Sequence, residues 1–191
     1  MYDSKGKYVK AKLLHKKALK VREEVLGENH HDTSISYNNL ANLYNSKGEY
    51  SKAEMFYKKA LQMAKEVLDE NHPNIAISYG NLAELYRLNE EYTKAQLLFE
   101  KALNIHKEIL GENHPNTARS YKNLGLFYQE IKKCTKAKEY LKKAIASVEE
   151  LEYSEISLID LKRALKEVEK SMAKEKKAKF NKKGKHCVDM K

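Results

Sequence analysis

The sequence predicts an all-α fold, an array of antiparallel helix pairs, and three observations carry that prediction. The stretch Tyr37-Asn-Asn-Leu-Ala-Asn-Leu-Tyr44 returns as Tyr79-Gly-Asn-Leu-Ala-Glu-Leu-Tyr86 and as Tyr121-Lys-Asn-Leu-Gly-Leu-Phe-Tyr128, at an interval of 42 residues each time. Self-similarity at such a period marks a repeat architecture. Within each copy Leu40/Leu82/Leu124 and Tyr44/Tyr86/Tyr128 stand four apart, on one helical stripe. The small Ala41/Ala83/Gly125 between them lets a neighbouring helix come close. Finally, only seven Gly and two Pro among 191 residues argue against a loop-rich β fold. The 41% of apolar residues suffices for a layered helical core.

Residues 1–32 read as a partial repeat. Ser4-Lys-Gly-Lys-Tyr8 matches Ser46-Lys-Gly-Glu-Tyr50, and Ala11, Ala18, Leu19, Val25 and Leu26 continue the match. The chain therefore opens on a second helix, about Lys7 to Leu26, that lacks its first. Three 42-residue hairpins fill 33–151. In the first, a helix from about Thr33 carries Ile35, Leu40, Leu43 and Tyr44, and Gly48 stops it. A second helix from Tyr50 shows Ala53, Tyr57, Ala60, Leu61, Ala64, Val67 and Leu68 in steps of three and four. Pro73 ends that segment and suits the first turn of the next helix, with Asn71 and Asn74 as candidate caps. The next two hairpins repeat the plan, with Tyr92, Ala95, Phe99, Ala102, Leu103, Ile109 and Leu110, then Ala137, Leu141, Ala144, Ile145, Val148 and Leu151. Glu90 replaces glycine at one turn, and Cys134 stands where Tyr50 and Tyr92 stood, expected as a small buried group. Asn29/Asn71/Asn113 and His30/His72/His114 mark the junctions.

The array changes at its far end. Positions 42 residues beyond Tyr121, Leu124, Gly125 and Tyr128 hold Arg163, Lys166, Glu167 and Lys170, so no fourth repeat follows in register. Leu158, Leu161, Leu165, Val168 and Met172 still recur at helical spacing after Ser154, which predicts a capping helix over 152–173. Residues 174–191 are expected to be a basic, disordered tail.

With Tyr37, Leu40, Ala41, Tyr44, Gly48, Tyr50, Ala53, Tyr57 and Ala60 in place, residues 4–151 resemble the tetratricopeptide repeat consensus. The 42-residue period, Leu-Gly-Glu-Asn-His-Pro (110–115) between units and Asn-Asn-Leu-Ala (38–41) within them resemble its kinesin-light-chain class. That resemblance implies a right-handed α-solenoid whose first helices line a concave groove, and a module that binds an extended peptide segment of a partner without chemistry of its own. The second Asn of the motif clamps ligand backbone in that class, which here means Asn39, Asn81 and Asn123. An amide offers donors and acceptors together, as a peptide backbone does. Asn38, Asn42 and Asn45, then Glu84 and Arg87, then Arg119 and Lys122 share the same helical faces and complete the candidate site.

Other classes are weaker. Most of the net charge of +10 lies toward the C-terminal end: residues 162–191 hold 12 Lys/Arg against 4 Asp/Glu, a net of +8. Residues 1–161 are close to neutral. The alternative to a peptide scaffold is therefore a nucleic-acid or anionic-surface binder acting through the Lys-rich tail; Phe180 is its sole aromatic, so no stacking platform accompanies it. The repeated histidines lie one repeat apart and cannot converge on one ion, and no phosphate loop, nucleophile elbow or HExxH appears. No enzyme, metal, cofactor or small-molecule substrate is expected. Cys134 and Cys187 form no framework, no apolar run reaches the ~18 residues of a membrane span, and the start lacks a signal peptide. These point to the cytoplasm. The half-repeat at the start leads us to expect self-association through its uncovered stripe.

Overall fold

The computed structural model describes residues 2–28, 30–151 and 155–186, with side chains over residues 8–178 of these. Asn29, Ser154 and residues 187–191 lie outside the described residues, as does the side chain of Phe180. Two compact units arise, one ending at Ile109 and one starting at Leu110. The first holds α1 (Tyr2–Leu26), α2 (His31–Ser46), α3 (Tyr50–Val67), α4 (Pro73–Leu88) and α5 (Tyr92–Leu110). The second holds α6 (Pro115–Glu130), α7 (Cys134–Glu149) and α8 (Leu158–His186). Among the described residues there is no strand.

The repeated signature is the core. Leu40, Ala41 and Tyr44 of α2, with Ala53, Tyr57 and Ala60 of α3, are buried, and the two helices pack as a hairpin. Ala53, Ala95 and Ala137 are each fully buried, as close helix contact requires. In the second unit the position corresponding to Ala41 is glycine. A Cβ added to Gly125 would meet Leu141 Cγ at 2.8 Å, so glycine is the residue that lets α6 lie against α7. Three expected core positions do not belong there. Ile35, Val67 and Ile109 are 37%, 44% and 52% exposed, because each falls just off the stripe that the buried Leu and Ala define.

The local signals have physical counterparts. His30, His72 and His114 are the N-caps of α2, α4 and α6, each Nδ1 accepting from the backbone N–H two residues on at 3.1 Å. The caps are thus the histidines and not Asn71 or Asn74; with Pro73 at the first helical position, the first N–H available to a cap is that of Asn74. The turn inside each hairpin demands a left-handed residue, Gly48 (φ 72°), Glu90 (φ 60°) and Lys132 (φ 58°). Two of the three repeats accept that strain without glycine.

A second periodic device escapes the apolar pattern. Lys59, Lys101 and Lys143 lie over the rings of Tyr37, Tyr79 and Tyr121 at 4.5, 5.6 and 5.7 Å. Lys52, Lys94 and Lys136 lie over Tyr44, Tyr86 and Tyr128 at 5.5, 5.0 and 5.0 Å. Each contact brings a second-helix ammonium onto a first-helix ring, worth about 0.5–1 kcal/mol at exposed sites.

At the far end α8 behaves as a first helix whose phase has slipped. Its buried residues are Leu161, Ala164 and Val168, which stand 40 residues beyond Tyr121, Leu124 and Tyr128. It packs on α7 and α6 as α4 packs on α3 and α2. The core positions recur after 40 residues rather than 42, so the 42-residue register finds charge where the structure places core two residues earlier. The helix starts at Leu158 and runs unbroken to His186, past residue 173, where the sequence placed the start of a disordered tail. Lys, Glu and Ala are strong helix formers, and Gly184 is the first glycine met after Gly125.

Candidate functional site

Exposure along the first helices separates a core face from an open one. On α2 the open stripe is Ile35, Asn39, Asn42 and Ser46; on α4 it is Ile77, Asn81, Glu84 and Leu88; on α6 it is Arg119, Asn123, Leu126 and Glu130. Steps of four, three and four place each set on one side of its helix. Asn39, Asn81 and Asn123 are half-buried within these stripes. They form no side-chain hydrogen bond or ion pair among the described residues. Their amides are therefore uncommitted, at the same repeat position three times.

The other predicted residues are partly committed to the chain itself. Asn38 Nδ2 donates to Ser78 Oγ at 3.1 Å, tying α2 to α4, and Asn74 Nδ2 meets His31 Nε2 at 2.9 Å along the same seam. Asn42 Oδ1 accepts from the Tyr57 hydroxyl at 2.5 Å; burial pushes that hydroxyl's pKa up to about 12. Asn45 Oδ1 is buried and unpartnered. Glu84 and Arg87 form a two-point ion pair at 2.6 and 2.8 Å. Arg119 reaches Glu155 at 3.2 Å, which draws it toward the segment leading into α8. Lys122 is half-buried in the register of Asn38, beside the open stripe rather than on it.

Sequence reasoning missed the apolar members of the open face. Ile77, Leu88 and Leu126 are 36%, 40% and 41% exposed, and Ile35 was assigned to the core. An amphipathic period of 3.6 could have flagged them, because each lies a turn from a candidate residue: Ile77 from Asn81, Leu88 from Glu84 and Leu126 from Asn123. A face that alternates free amides with apolar side chains can take a ligand's main chain and its side chains together. Among the described residues no three His, Cys, Asp or Glu side chains converge as a metal site. No helix among them is long and apolar enough to cross a membrane.

Comparison with known proteins identifies the family and the fold. The tetratricopeptide repeat family profile matches residues 2–66, 41–108 and 74–150. Among solved structures, BtubC (BKLC) from P. vanneervenii is 26% identical with a TM-score of 0.79, over 93% of this chain and 71% of that one. A Podosopora anserina kinesin-light-chain protein of nearly identical TPR-like repeats is 22% identical with a TM-score of 0.72, over 94% of this chain and 85% of that one. The Sgt2 TPR domain from Aspergillus fumigatus is 21% identical with a TM-score of 0.56, over 75% and 82%. No curated protein matches the chain in sequence. Family profile, repeat signature and fold agree: the chain belongs to the tetratricopeptide repeat family, and the structures it is similar to include kinesin-light-chain-like members.

Proposed function

We propose that the chain is a non-catalytic, cytoplasmic scaffold whose open first-helix stripes hold an extended peptide segment of a partner protein. The observation that carries this reading is the set of three uncommitted amides, Asn39, Asn81 and Asn123, each flanked by exposed apolar side chains. Ile35 and Ile77 beside Asn39 and Asn81 supply apolar contacts in the first unit, and Leu126 beside Asn123 does so in the second. Each amide can both donate to a ligand carbonyl and accept from a ligand N–H. A neutral hydrogen bond of this kind is worth about 0.5–1.5 kcal/mol net, so each amide adds a measurable share to the affinity of the ligand it meets. Capture of partners from lysate on wild-type protein and on an Asn39→Ala/Asn81→Ala/Asn123→Ala variant of equal melting temperature tests the reading. Proteins held by the wild type and lost by the variant are expected; identical captures would discard it.

One further observation favours self-association as a second activity. In α1, Leu14 and Val21 are 57% and 56% exposed, and Ala18 is exposed too. Their counterparts 42 residues on are Phe56, stacked between Tyr44 and Tyr37, and the buried Ala60 and Met63. A second copy covering this stripe with its own α1 would bury what α2 buries on α3.

A further inference from the structure

The third hairpin departs from the other two at its internal turn. There the first hairpin reads Gly48-Glu49-Tyr50-Ser51-Lys52, the second Glu90-Glu91-Tyr92-Thr93-Lys94 and the third Lys132-Lys133-Cys134-Thr135-Lys136. In the first two an acid neutralises the lysine three residues on: Lys52 lies 2.5 Å from Glu49, and Lys94 pairs with Glu91. In the third that acid is Lys133. Lys136 keeps its place over the Tyr128 ring at 5.0 Å but has a second cation for a neighbour.

The tyrosine is replaced as well. Cys134 is much smaller than the tyrosine it replaces, and the turn borders an open cleft of about 520 Å³ whose lining includes Met172, Glu175 and Lys176 of α8. Lys132, Lys133, Lys136 and Lys176 all line it. None of the four, and not Glu175, forms an ion pair among the described residues. Four ammonium groups and one carboxylate in one concavity leave an excess of three positive charges. Like charges held together without a counter-ion repel, and more strongly near protein than in bulk water. The cavity also abuts the first turn of α7, where the Lys133 side chain supplies no cap.

We propose that this cavity binds a phosphate monoester carried on a partner's side chain, a phosphoserine or phosphothreonine. A phosphate monoester brings a charge of about −1.5 to −2 and three acceptor oxygens, enough to meet several ammonium groups where a single carboxylate meets one or two. The volume exceeds what the phosphate alone would fill, and Met172 and Cys134 offer apolar surface to the carbon skeleton beside it. The Tyr128 ring at the turn is fully buried, beneath Lys136 and stacked on Tyr140, so no base can stack on it and a nucleic acid fits less well. The site uses none of the open-stripe amides, and its test is independent of theirs.

Cys134 reports on occupancy. The full chain is alkylated with iodoacetamide and the Cys134 and Cys187 peptides are followed separately by mass spectrometry. The ligands are a pentapeptide Ala-Ala-phosphoserine-Ala-Ala, its unphosphorylated form, inorganic phosphate and a short single-stranded RNA. The phosphopeptide should slow Cys134 and spare Cys187, at a concentration at least tenfold below that at which inorganic phosphate acts, and the unphosphorylated peptide should do nothing. Lys133→Glu restores the acid that both other hairpins carry, so the fold is expected to hold. It should weaken phosphopeptide protection at least tenfold. Any of four results overturns the proposal: no protection by the phosphopeptide, equal protection by inorganic phosphate (an adventitious ion only), better protection by RNA, or unchanged protection in Lys133→Glu.

Discussion

The two terminal helices contain similar apolar residues and use them differently. α8 turns Leu161, Ala164 and Val168 inward onto α7 and gives solvent Lys162, Arg163, Lys166, Glu167 and Lys170. α1 buries Leu19 against the repeat that follows, yet leaves Val9, Leu13, Leu14, Val21 and Val25 between 53% and 72% exposed. α8 has the polar outer face that closes a solenoid; α1 has an interior helix's two apolar faces and cover for only one. Apolar content alone therefore does not tell a cap from an interior helix. Which face carries charge does.

The sharpest way to break this comparison is a matched pair of truncations. Leu161→Ala removes a side chain that is 2% exposed and should cost about 2–5 kcal/mol. Val21→Ala, at 56% exposure, should change stability by less than about 0.5 kcal/mol. Chemical denaturation of the two variants at concentrations where the chain is monomeric checks this, and comparable losses there would mean that α1 is covered within one copy.

Self-association separates the ends next. Burying a Leu or Val side chain is worth about 1.5–3 kcal/mol, so Leu14→Glu/Val21→Glu should abolish concentration-dependent growth in light scattering. Arg163→Glu on the outer face of α8 should leave it unchanged. A wild type that stays monomeric at every concentration would remove the second copy from the account.

Both ends are also tied by polar contacts, and these should matter less. Arg22 Nη1 donates to Ser36 Oγ at 2.6 Å and to the Asp32 carbonyl at 3.2 Å, so Arg22→Ala should cost about 1 kcal/mol. The Lys138–Glu169 pair that joins α7 to α8 at 2.7 Å is partly exposed on both sides, and Lys138→Ala should cost less, about 0.5 kcal/mol. Thermal melts of the two single variants decide the order.

The smallest effect is one of pH. The Tyr8 hydroxyl of α1 donates to Glu49 at 2.8 Å. Loss of solvent, and then the Glu49 carboxylate, push its pKa from 10.0 up to about 12. A group whose pKa is raised on folding stabilises the fold below its unfolded pKa, and that stabilisation is lost as pH climbs through the folded one. Amide exchange in the first half of α1 should therefore quicken between pH 10 and about 12, beyond its intrinsic rise. The same correction should leave α8, which has no tyrosine, without such a step. Tyr8→Phe should remove the step from α1.

Much of this was legible in the sequence. The period located every hairpin, and the buried Leu, Ala and Tyr positions followed from helical spacing. What escaped it depends on geometry that spacing alone does not encode. A core interval of 40 rather than 42 residues hid that the predicted capping helix keeps the first-helix pattern on its inward face. The repeated histidines signalled something, but only the backbone at His72 and Asn74 reveals a cap. Ile35 reads as core because a strip of apolar residues looks the same whether it faces a neighbouring helix or a ligand. For the candidate site, the sequence supplied the three asparagines; the structure shows which of their neighbours are already occupied, as Asn38, Asn42 and Arg119 are.

The central claim, that the open stripes read peptide backbone through Asn39, Asn81 and Asn123, is tested most directly by selecting peptides and measuring their affinity. Random dodecapeptides displayed on phage are selected on the wild type, and the winners are titrated against the wild type and the triple alanine variant. The account predicts that selected peptides bind the wild type and lose at least tenfold in Kd on the variant, with the melting temperatures alike. Selected peptides that bind the variant equally well would contradict it.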